Sequence, residues 1–176
     1  MFNRVKQVVA ALMARITLED KVFIHHYLNA AEQQLFFNMN LPDQRHVLNV
    51  AYTALQLAQQ YQEELDINLL VKCALLHDVG KIKGDVSTAD KIITVIGHTL
   101  APQQAKQWGR FGRGSKLMNL RHAFYIYFNH SQRSAAMLKK INATPQMVEI
   151  VARHHEAPSD HDLMELIILR KADNQH

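Results

Sequence analysis

The sequence is poor in cysteine, glycine and proline, and each shortage excludes a class of protein. Cys73 is the single cysteine among 176 residues, which excludes a disulfide framework and indicates a reducing, cytoplasmic environment. With 6 glycines, 4 prolines and 48% hydrophobic residues, the composition argues against a disordered or β-rich chain. This length and composition predict one helical domain with a sizeable core, in which Cys73 is buried.

Long apolar runs are also missing. The stretch 1–14 carries Arg4 and Lys6 before a short apolar run, but Arg15 interrupts that run and no small-residue cleavage site follows. No later run approaches the roughly 20 apolar residues that a membrane-spanning helix needs. We therefore expect an amphipathic N-terminal helix, no signal peptide and no membrane partner.

Acidic residues are scarce in the middle of the chain. Residues 79–140 contain eleven Lys and Arg but only Asp85 and Asp90, a balance of +9 in a chain of formal net charge +4. Such a segment can bind nucleic acid or attract a small phosphorylated substrate. The aromatic residues Trp108 and Phe111 are too few to favour a surface that stacks bases, so the small substrate is preferred.

Helical periodicity and capping signals predict an all-α fold, and no strand pattern or internal repeat is found. Three helices are expected from Thr17 to about Phe37, from near Asp43, and up to His77. Further along the chain they are expected from Lys91 to Ile96, over the apolar stretch 120–128, and in a separate segment that carries Ala135 to Ile141. The last two are expected from Pro145 to the stretch 153–156 and from about Asp160. The stretch 97–119 is the least regular. It is interpreted either as a mobile connection or as a basic lid over an anionic substrate.

The stretch Leu75–Lys81 places a histidine and an aspartate side by side at the end of an apolar helix, and Gly80 then allows the backbone to turn. A buried imidazole beside a carboxylate is costly unless something compensates it. A divalent metal would do so, with a neutral His nitrogen and an ionised Asp oxygen as ligands. Taken alone, the dipeptide is more typical of an aspartate near a helix end beside a packed core histidine, so partners elsewhere decide the matter.

Four further histidines and one further aspartate occupy apolar helical positions. With the central pair they form the order H…HD…H…HH…D, which consists of His46, His77, Asp78, His130, His154, His155 and Asp173. With Arg45-His46 and Lys171-Ala172-Asp173 flanking the central stretch, this order resembles the HD-domain family of metal-dependent phosphohydrolases. The resemblance covers residues 43–173. We therefore expect a compact HD-type helical bundle over 41–176, preceded by a helical extension over 1–40.

The resemblance implies a ligand set. His46, His77, Asp78 and Asp173 match the residues that bind a first metal, and Asp78 is expected to bridge to a second. His130 and the pair His154 and His155 match ligands of the second metal, although which member of the pair ligates is left open. The donor set suits Fe, Mn, Co, Ni or Zn.

Catalytic roles are expected for Asp78 and Lys81. Lys81 matches a lysine that contacts substrate phosphate in some family members. With Arg110, Arg113 and Arg133 it is expected to bind substrate and to neutralise phosphoryl charge.

The sequence also departs from branches of the family. After Glu156 there is no Gly-Tyr-Pro run, so the likeness to cyclic-di-GMP phosphodiesterases stops at the metal site. Pro42 stands where three-metal members have a glutamate, so no third metal is expected.

The expected function is hydrolysis of a phosphate ester or anhydride of a nucleotide-like substrate by a metal-activated hydroxide. The alternatives are a di-iron oxygenase of the inositol-cleaving type and a non-catalytic nucleotide-sensing module. Three other histidines, His98, His122 and His161, are expected to pack or to lie at the surface.

Overall fold

Helices dominate the computed structural model, which describes residues 15–61 and 64–176. They are α1 (Leu18–Tyr27), α2 (Ala30–Phe37), α3 (Leu41–Ala58), α4 (Ile67–Leu76), α5 (Thr88–Leu100), α6 (Pro102–Trp108), α7 (Lys116–Lys140), α8 (Pro145–Arg153) and α9 (Met164–Asp173). These helices hold 69% of the described residues, which confirms the all-α prediction. A single bridge joins Met39 to Ile82. The helix expected over 1–14 lies outside the described residues.

Local capping chemistry starts several helices where the sequence indicates. The side chains of Thr17, Ser87 and Thr144 each accept a hydrogen bond from the backbone N–H three residues later. A cap of this kind satisfies one of the N–H groups that the first helical turn leaves unpaired. Pro145 then occupies the first position of α8, where its missing N–H costs nothing.

The expected single helix from Thr17 to Phe37 is wrong, because the chain forms α1 and α2 there. Leu28 leaves the helix with an extended backbone. The Asn29 side chain accepts a hydrogen bond from the Glu32 backbone N–H at 3.0 Å, and the Glu32 carboxylate accepts one from the Asn29 N–H at 2.8 Å. This reciprocal capping box starts a new helix inside a stretch whose composition is helical throughout.

The stretch 97–119 is mostly helical, contrary to expectation. Helix α5 continues to Leu100, Pro102 opens α6, and α7 begins at Lys116. The irregular part is therefore only 109–115. The apolar stretch 120–128 and the small residues that follow it form one continuous helix, α7. Helix α3 also begins slightly earlier than expected, and α9 begins later, at Met164.

Helix α4 is the centre of the bundle. It contacts α1, α2, α3, α8 and α9. Cys73 is buried within it, as predicted, and its apolar side chains face neighbours on every side. Ile24 of α1 and Phe36 of α2 belong to the same core cluster. Because α4 is surrounded, the residues that follow its last turn are carried into the interior.

Helices α5 and α6 form a separate layer. They pack on each other and on α7, and α7 in turn packs on α8. No described residue between Val79 and Ala135 belongs to the main core cluster. Across residues 15–61 and 64–176, no helix combines the length and apolarity needed to cross a bilayer.

The buried carboxylate of Asp20 ties α1 to α3. It accepts hydrogen bonds from the guanidinium of Arg45, from Tyr52 Oη at 2.9 Å and from the Thr17 backbone N–H at 2.7 Å. Burial by itself raises the pKa of Asp20, but the bonds from Arg45, Thr17 and Tyr52 outweigh it and lower the pKa to about 2. Since Arg45 precedes His46, this network also braces the helix that carries His46.

We expect Asp20→Asn to reduce the free energy of unfolding at neutral pH by about 2 kcal/mol, because a buried charge-assisted network is broken. The wild-type advantage should be complete above about pH 4, where Asp20 is ionised even when unfolded. It should shrink as the pH falls toward about 2, the folded pKa. Urea denaturation of both proteins between about pH 2 and pH 7 measures this difference in the free energy of unfolding.

Asp160→Asn is the matched control, since Asp160 is exposed and the substitution changes charge identically. Its effect should stay within about 0.5 kcal/mol at every pH. Equal losses in the two variants would show that general charge, and not the Asp20 network, is responsible.

Candidate metal centre

The seven histidines and aspartates singled out from the sequence converge on one place. Helix α3 supplies His46, and α9 supplies Asp173 in its last turn. The ends of α4 and α8 supply the two adjacent pairs, and His130 projects from α7. Three overlapping groups with metal-compatible donor spacing are His46, His77 and Asp173; His77, Asp78 and His154; and His130, His154 and His155. Their role as ligands stays a prediction.

The first group surrounds one oxygen of Asp173. His46 Nε2 lies 3.0 Å and His77 Nε2 lies 3.6 Å from Asp173 Oδ1. Two ligands about 2.1 Å from one ion, at angles of about 90–120°, are themselves about 3.0–3.6 Å apart. The spacing of these donors therefore suits a shared cation.

The group of His130, His154 and His155 lies at one oxygen of Asp78. His130 Nε2 is 2.9 Å from His155 Nε2 and 3.3 Å from Asp78 Oδ1. The other oxygen, Asp78 Oδ2, lies 3.8 Å from His46 Nε2 and 3.7 Å from His77 Nε2. The two oxygens of one carboxylate thus face two different groups of imidazoles.

Backbone carbonyls orient the buried imidazoles. The Nδ1 atoms of His77, His130 and His154 lie 2.9, 2.7 and 2.7 Å from the carbonyl oxygens of Ala74, Tyr127 and Val151, each three residues earlier. A carbonyl only accepts, so Nδ1 carries the proton and donates, which leaves the Nε2 lone pair directed into the cluster. The last turn of each histidine's own helix therefore selects the tautomer that binds metals.

Three buried atoms in the cluster lack a hydrogen-bond partner within the described chain: His77 Nε2, His154 Nε2 and Asp78 Oδ1. Buried polar atoms are normally paired, because leaving them unpaired costs free energy. All three are donors of the type that divalent transition metals prefer. The residues present therefore fit a bound divalent cation.

The electrostatics favour neutral imidazoles at His130 and His154 and an ionised carboxylate at Asp78. For His77, burial lowers the pKa, but the neighbouring carboxylates Asp78 and Asp173 outweigh it and raise that pKa. Burial, and next the charge of Lys81, lowers the pKa of His130 to about 3. Burial also lowers the pKa of His154 well below its ordinary value. For Asp78, burial alone raises the pKa, but Lys81 and the surrounding imidazoles outweigh it and hold that pKa well below its usual range. Neutral histidine and ionised aspartate are the forms that ligate metals.

Lys81 lies against the cluster. Its Nζ donates to Asp78 Oδ2 at 2.7 Å, which places a positive charge beside the shared carboxylate. Lys81 also lines a cavity of about 180 Å³ between the loop after α4 and helices α5 and α7. The predicted contact with substrate phosphate stays a prediction, but the ammonium stands between the cluster and this cavity.

The arginines expected to bind substrate lie farther out. Arg133 Nη1 pairs with Asp85 Oδ2 at 2.8 Å, and Arg113 Nη1 donates to the Gly84 carbonyl at 2.7 Å. Both therefore anchor the loop that follows Lys81, while Arg110 is exposed. Their substrate contacts remain predictions.

The cavity is lined by residues that the sequence pattern did not identify. Its walls include Val95, Ile126 and Tyr127, and its polar residues include Asp43 and Lys91, which form an ion pair at 2.7 Å. No local signal identifies these residues, because α3, α5 and α7 meet only through tertiary packing.

The other histidines behave as expected. His122 is buried and its Nδ1 accepts a hydrogen bond from the Gly112 N–H at 3.3 Å. His98 packs against the rings of Tyr127 and Phe128, and His161 is exposed.

Gly80 lies in a turn, as expected. The reason for a glycine there is close packing and not the backbone conformation. The glycines with positive φ in the described chain are Gly84 and Gly112, so the backbone of Gly80 is open to any residue. A Cβ on Gly80, however, would lie 2.4 Å from the His130 carbonyl oxygen. The Gly80 N–H donates to Ser134 Oγ at 2.8 Å. The absence of a side chain at Gly80 therefore lets the turn after α4 approach α7.

We expect Gly80→Ala to push α7 away, to lower stability by about 1–3 kcal/mol, and to reduce metal content at the His130 group. Thermal denaturation and metal analysis measure the two effects. Gly97→Ala is the control, because its Cβ would meet the end of the Phe124 ring at 2.6 Å, away from the cluster. It should lose stability and keep its metal, and equal metal loss in both variants would contradict the proposed role of Gly80.

The chain is similar to known proteins in sequence and in structure. A solved structure of a presumed metal-dependent phosphohydrolase from Shewanella amazonensis SB2B is 19% identical, with a TM-score of 0.45. The match covers 80% of this chain and 48% of that protein, so this chain spans about half of its length. No curated protein gave a significant match. The family model of the HD domain matches residues 44–176, which include all seven clustered residues, and the chain therefore belongs to the HD-domain family.

Proposed function

We propose that this HD-domain protein cleaves a phosphate ester or anhydride of a nucleotide-like substrate at a two-metal centre. The observation that carries the proposal is the position of Asp78. Its Oδ1 lies 3.3 Å from His130, while its Oδ2 faces His46 and His77 at 3.8 and 3.7 Å. One carboxylate placed between two histidine groups is suited to bridge two cations.

The proposed ligands are the seven clustered residues, and their mixed nitrogen and oxygen donors suit Fe, Mn, Co, Ni or Zn. Two such ions, when bound, lower the pKa of water and stabilise phosphoryl oxygens during in-line attack. Asp78 holds the two positions together. His155 takes part alongside His154, since its Nε2 is as close to His130 as a ligand of the same ion would be.

Lys81 supplies charge to the substrate in this proposal. In the substrate-free arrangement its ammonium donates to Asp78 at 2.7 Å. A phosphoryl group next to Asp78 would come within reach of the same ammonium, which would then offset negative charge growing on the phosphoryl oxygens.

The cavity supports an organic group of modest size. At about 180 Å³ it is smaller than the roughly 300 Å³ at which pockets for drug-sized ligands begin. Its apolar walls, Val95, Ile126 and Tyr127, suit a single ring system. We therefore favour a mononucleotide-like substrate whose base enters this cavity.

The same features distinguish the rival functions. A polyol substrate of a di-iron oxygenase needs many hydrogen-bonding groups, whereas the cavity walls are mostly apolar. A sensor without catalysis has no need of ligand atoms left unpaired at a cost in stability, such as His77 Nε2 and His154 Nε2.

Metal analysis of variants tests the two-metal centre. Asp78→Ala should lose metal from both positions, because the bridging carboxylate serves both. His130→Ala should lose about half of the metal, because it removes a ligand of one position only. His122→Ala, a change of the same kind in the same helix, should retain all of it. Equal losses in the Asp78 and His130 variants would contradict separate positions.

Lys81→Ala tests the phosphate chemistry. We expect unchanged metal content and roughly 100–1,000-fold slower hydrolysis of nucleoside monophosphates, since a charge donor to the transition state is removed. Lys83→Ala removes an exposed charge two residues away and should leave the rate unchanged. Wild-type hydrolysis in the Lys81 variant, or oxygen consumption with a polyol and no phosphatase activity, would decide against the proposal.

A further inference from the structure

Helix α5 presents an apolar face to solvent. Ile92, Ile96 and Leu100 are 50%, 48% and 79% exposed, and they follow one another at intervals of four residues. Side chains at this spacing lie on one face of a helix. Ile93 widens the strip, while Thr94 on the other side of the helix is buried. An amphipathic helix normally turns its apolar face inward, and here much of it remains uncovered by the described chain.

The apolar surface continues beyond α5. Trp108, Phe111, Leu117 and Met118 are also exposed. Nine of the fifteen large exposed hydrophobic residues of the described chain lie between 92 and 118. Concentration of this degree marks an interaction surface, since isolated exposed apolar residues are ordinary but a cluster is not.

The charge on this layer is mostly positive, although Asp43 pairs with Lys91 and Asp85 pairs with Arg133 at its inner edge. Residues 91–148 contain nine Lys and Arg and no Asp or Glu. Lys106, Arg110 and Lys116 are exposed beside the apolar residues. A partner of this surface must therefore offer apolar contact and negative charge together.

We propose that the surface formed by α5, α6 and the start of α7 docks on an anionic lipid bilayer. Branched aliphatic side chains enter the boundary between headgroups and acyl chains, and the basic residues approach lipid phosphates. Trp108 and Phe111 suit the interfacial depth at which aromatic rings are favoured. This proposal departs from the sequence-based expectation of no membrane partner, which rested on the lack of a spanning segment and of a signal peptide.

Other occupants fit less well. A second copy of the chain, related by a two-fold axis, would bring the same basic surface against itself, with no acidic residue in 91–148 to offset the repulsion. Nucleic acid would meet the positive charge but not the strip of isoleucine and leucine, because protein surfaces that bind nucleic acid are polar.

Docking would bring the proposed active site close to the lipid. The inner side of α5 contributes Lys91, Thr94 and Val95 to the cavity beside Lys81. A helix is about 10 Å across, so the cavity would lie about one helix diameter from the bilayer surface.

Co-sedimentation of the full chain with lipid vesicles tests the proposal without metal or substrate, so its outcome is independent of the proposed function. We expect binding to vesicles of phosphatidylcholine with about 30% phosphatidylglycerol. Binding should be at least about tenfold weaker to phosphatidylcholine alone, and it should weaken as salt is raised.

Two pairs of variants separate the apolar and charge contributions. Ile92→Gln with Ile96→Gln should weaken binding at least about tenfold. Leu18→Gln with Val22→Gln is matched to it, since both residues are exposed and four positions apart on α1, and it should bind like the wild type. Lys106→Gln with Lys116→Gln should weaken binding several-fold, whereas Lys139→Gln with Lys140→Gln, at the far end of α7, should have a smaller effect.

Three outcomes would overturn the proposal. The first is the absence of vesicle binding, and the second is equal binding to charged and uncharged vesicles. The third is self-association of the wild type that the Ile92 and Ile96 changes abolish while vesicle binding is absent, which would assign the surface to a second copy. Duplex DNA in place of vesicles provides the corresponding test for nucleic acid.

Discussion

The buried carboxylate of Asp78 is the constraint on which the centre of this protein depends. An ionised carboxylate in the interior is tolerated only when positive charge or hydrogen-bond donors surround it. Here Lys81 contacts one oxygen at 2.7 Å, and imidazoles from three helices approach both oxygens. Because the His130 ring directs an unprotonated Nε2 atom at Asp78 Oδ1, it leaves a need for positive charge there that a divalent cation would satisfy. The packing of the bundle and the placement of the metal-binding groups therefore depend on each other.

The ends of the helices place these groups next to one another. The last turn of α4 is buried and delivers His77 and Asp78 to the interior, and the end of α8 delivers His154 there, while the adjacent His155 stays exposed. Each buried ring is then oriented by a carbonyl of its own helix. Gly80 completes the arrangement by allowing the following turn to touch α7, where even a methyl group would collide with backbone. Rigid helices therefore position the ligands more precisely than loops could.

Helix α5 connects the proposed chemistry to the surface. Its inner side contributes to the cavity next to Lys81, and its outer side carries isoleucine and leucine into solvent. No described residue of this layer joins the main core cluster. The layer is therefore held by contacts among α5, α6 and α7, between the proposed substrate cavity on one side and the proposed lipid-binding surface on the other.

Features that depend on a few neighbouring residues were readable from the sequence. The helix starts at Thr17, Ser87 and Thr144 belong to this kind, because a cap acts within one helical turn. The set of candidate ligands could also be predicted, because its order along the chain resembles a family. The sequence did not reveal the break at Asn29, since its capping box lies within a helical composition, or the length of α7, whose apolar segments looked separate.

Tertiary packing alone decided the rest. The pairing of Asp78 oxygens with separate histidine groups, the position of Lys81 against Asp78 and the cavity walls depend on distances between helices that are remote in sequence. The need for a glycine at position 80 depends on its contact with α7, which no local pattern predicts. The outer face of α5 shows the same limit, because its period predicts an amphipathic helix whichever side is covered. Periodicity records which residues share a face, but only the packed structure shows what that face meets.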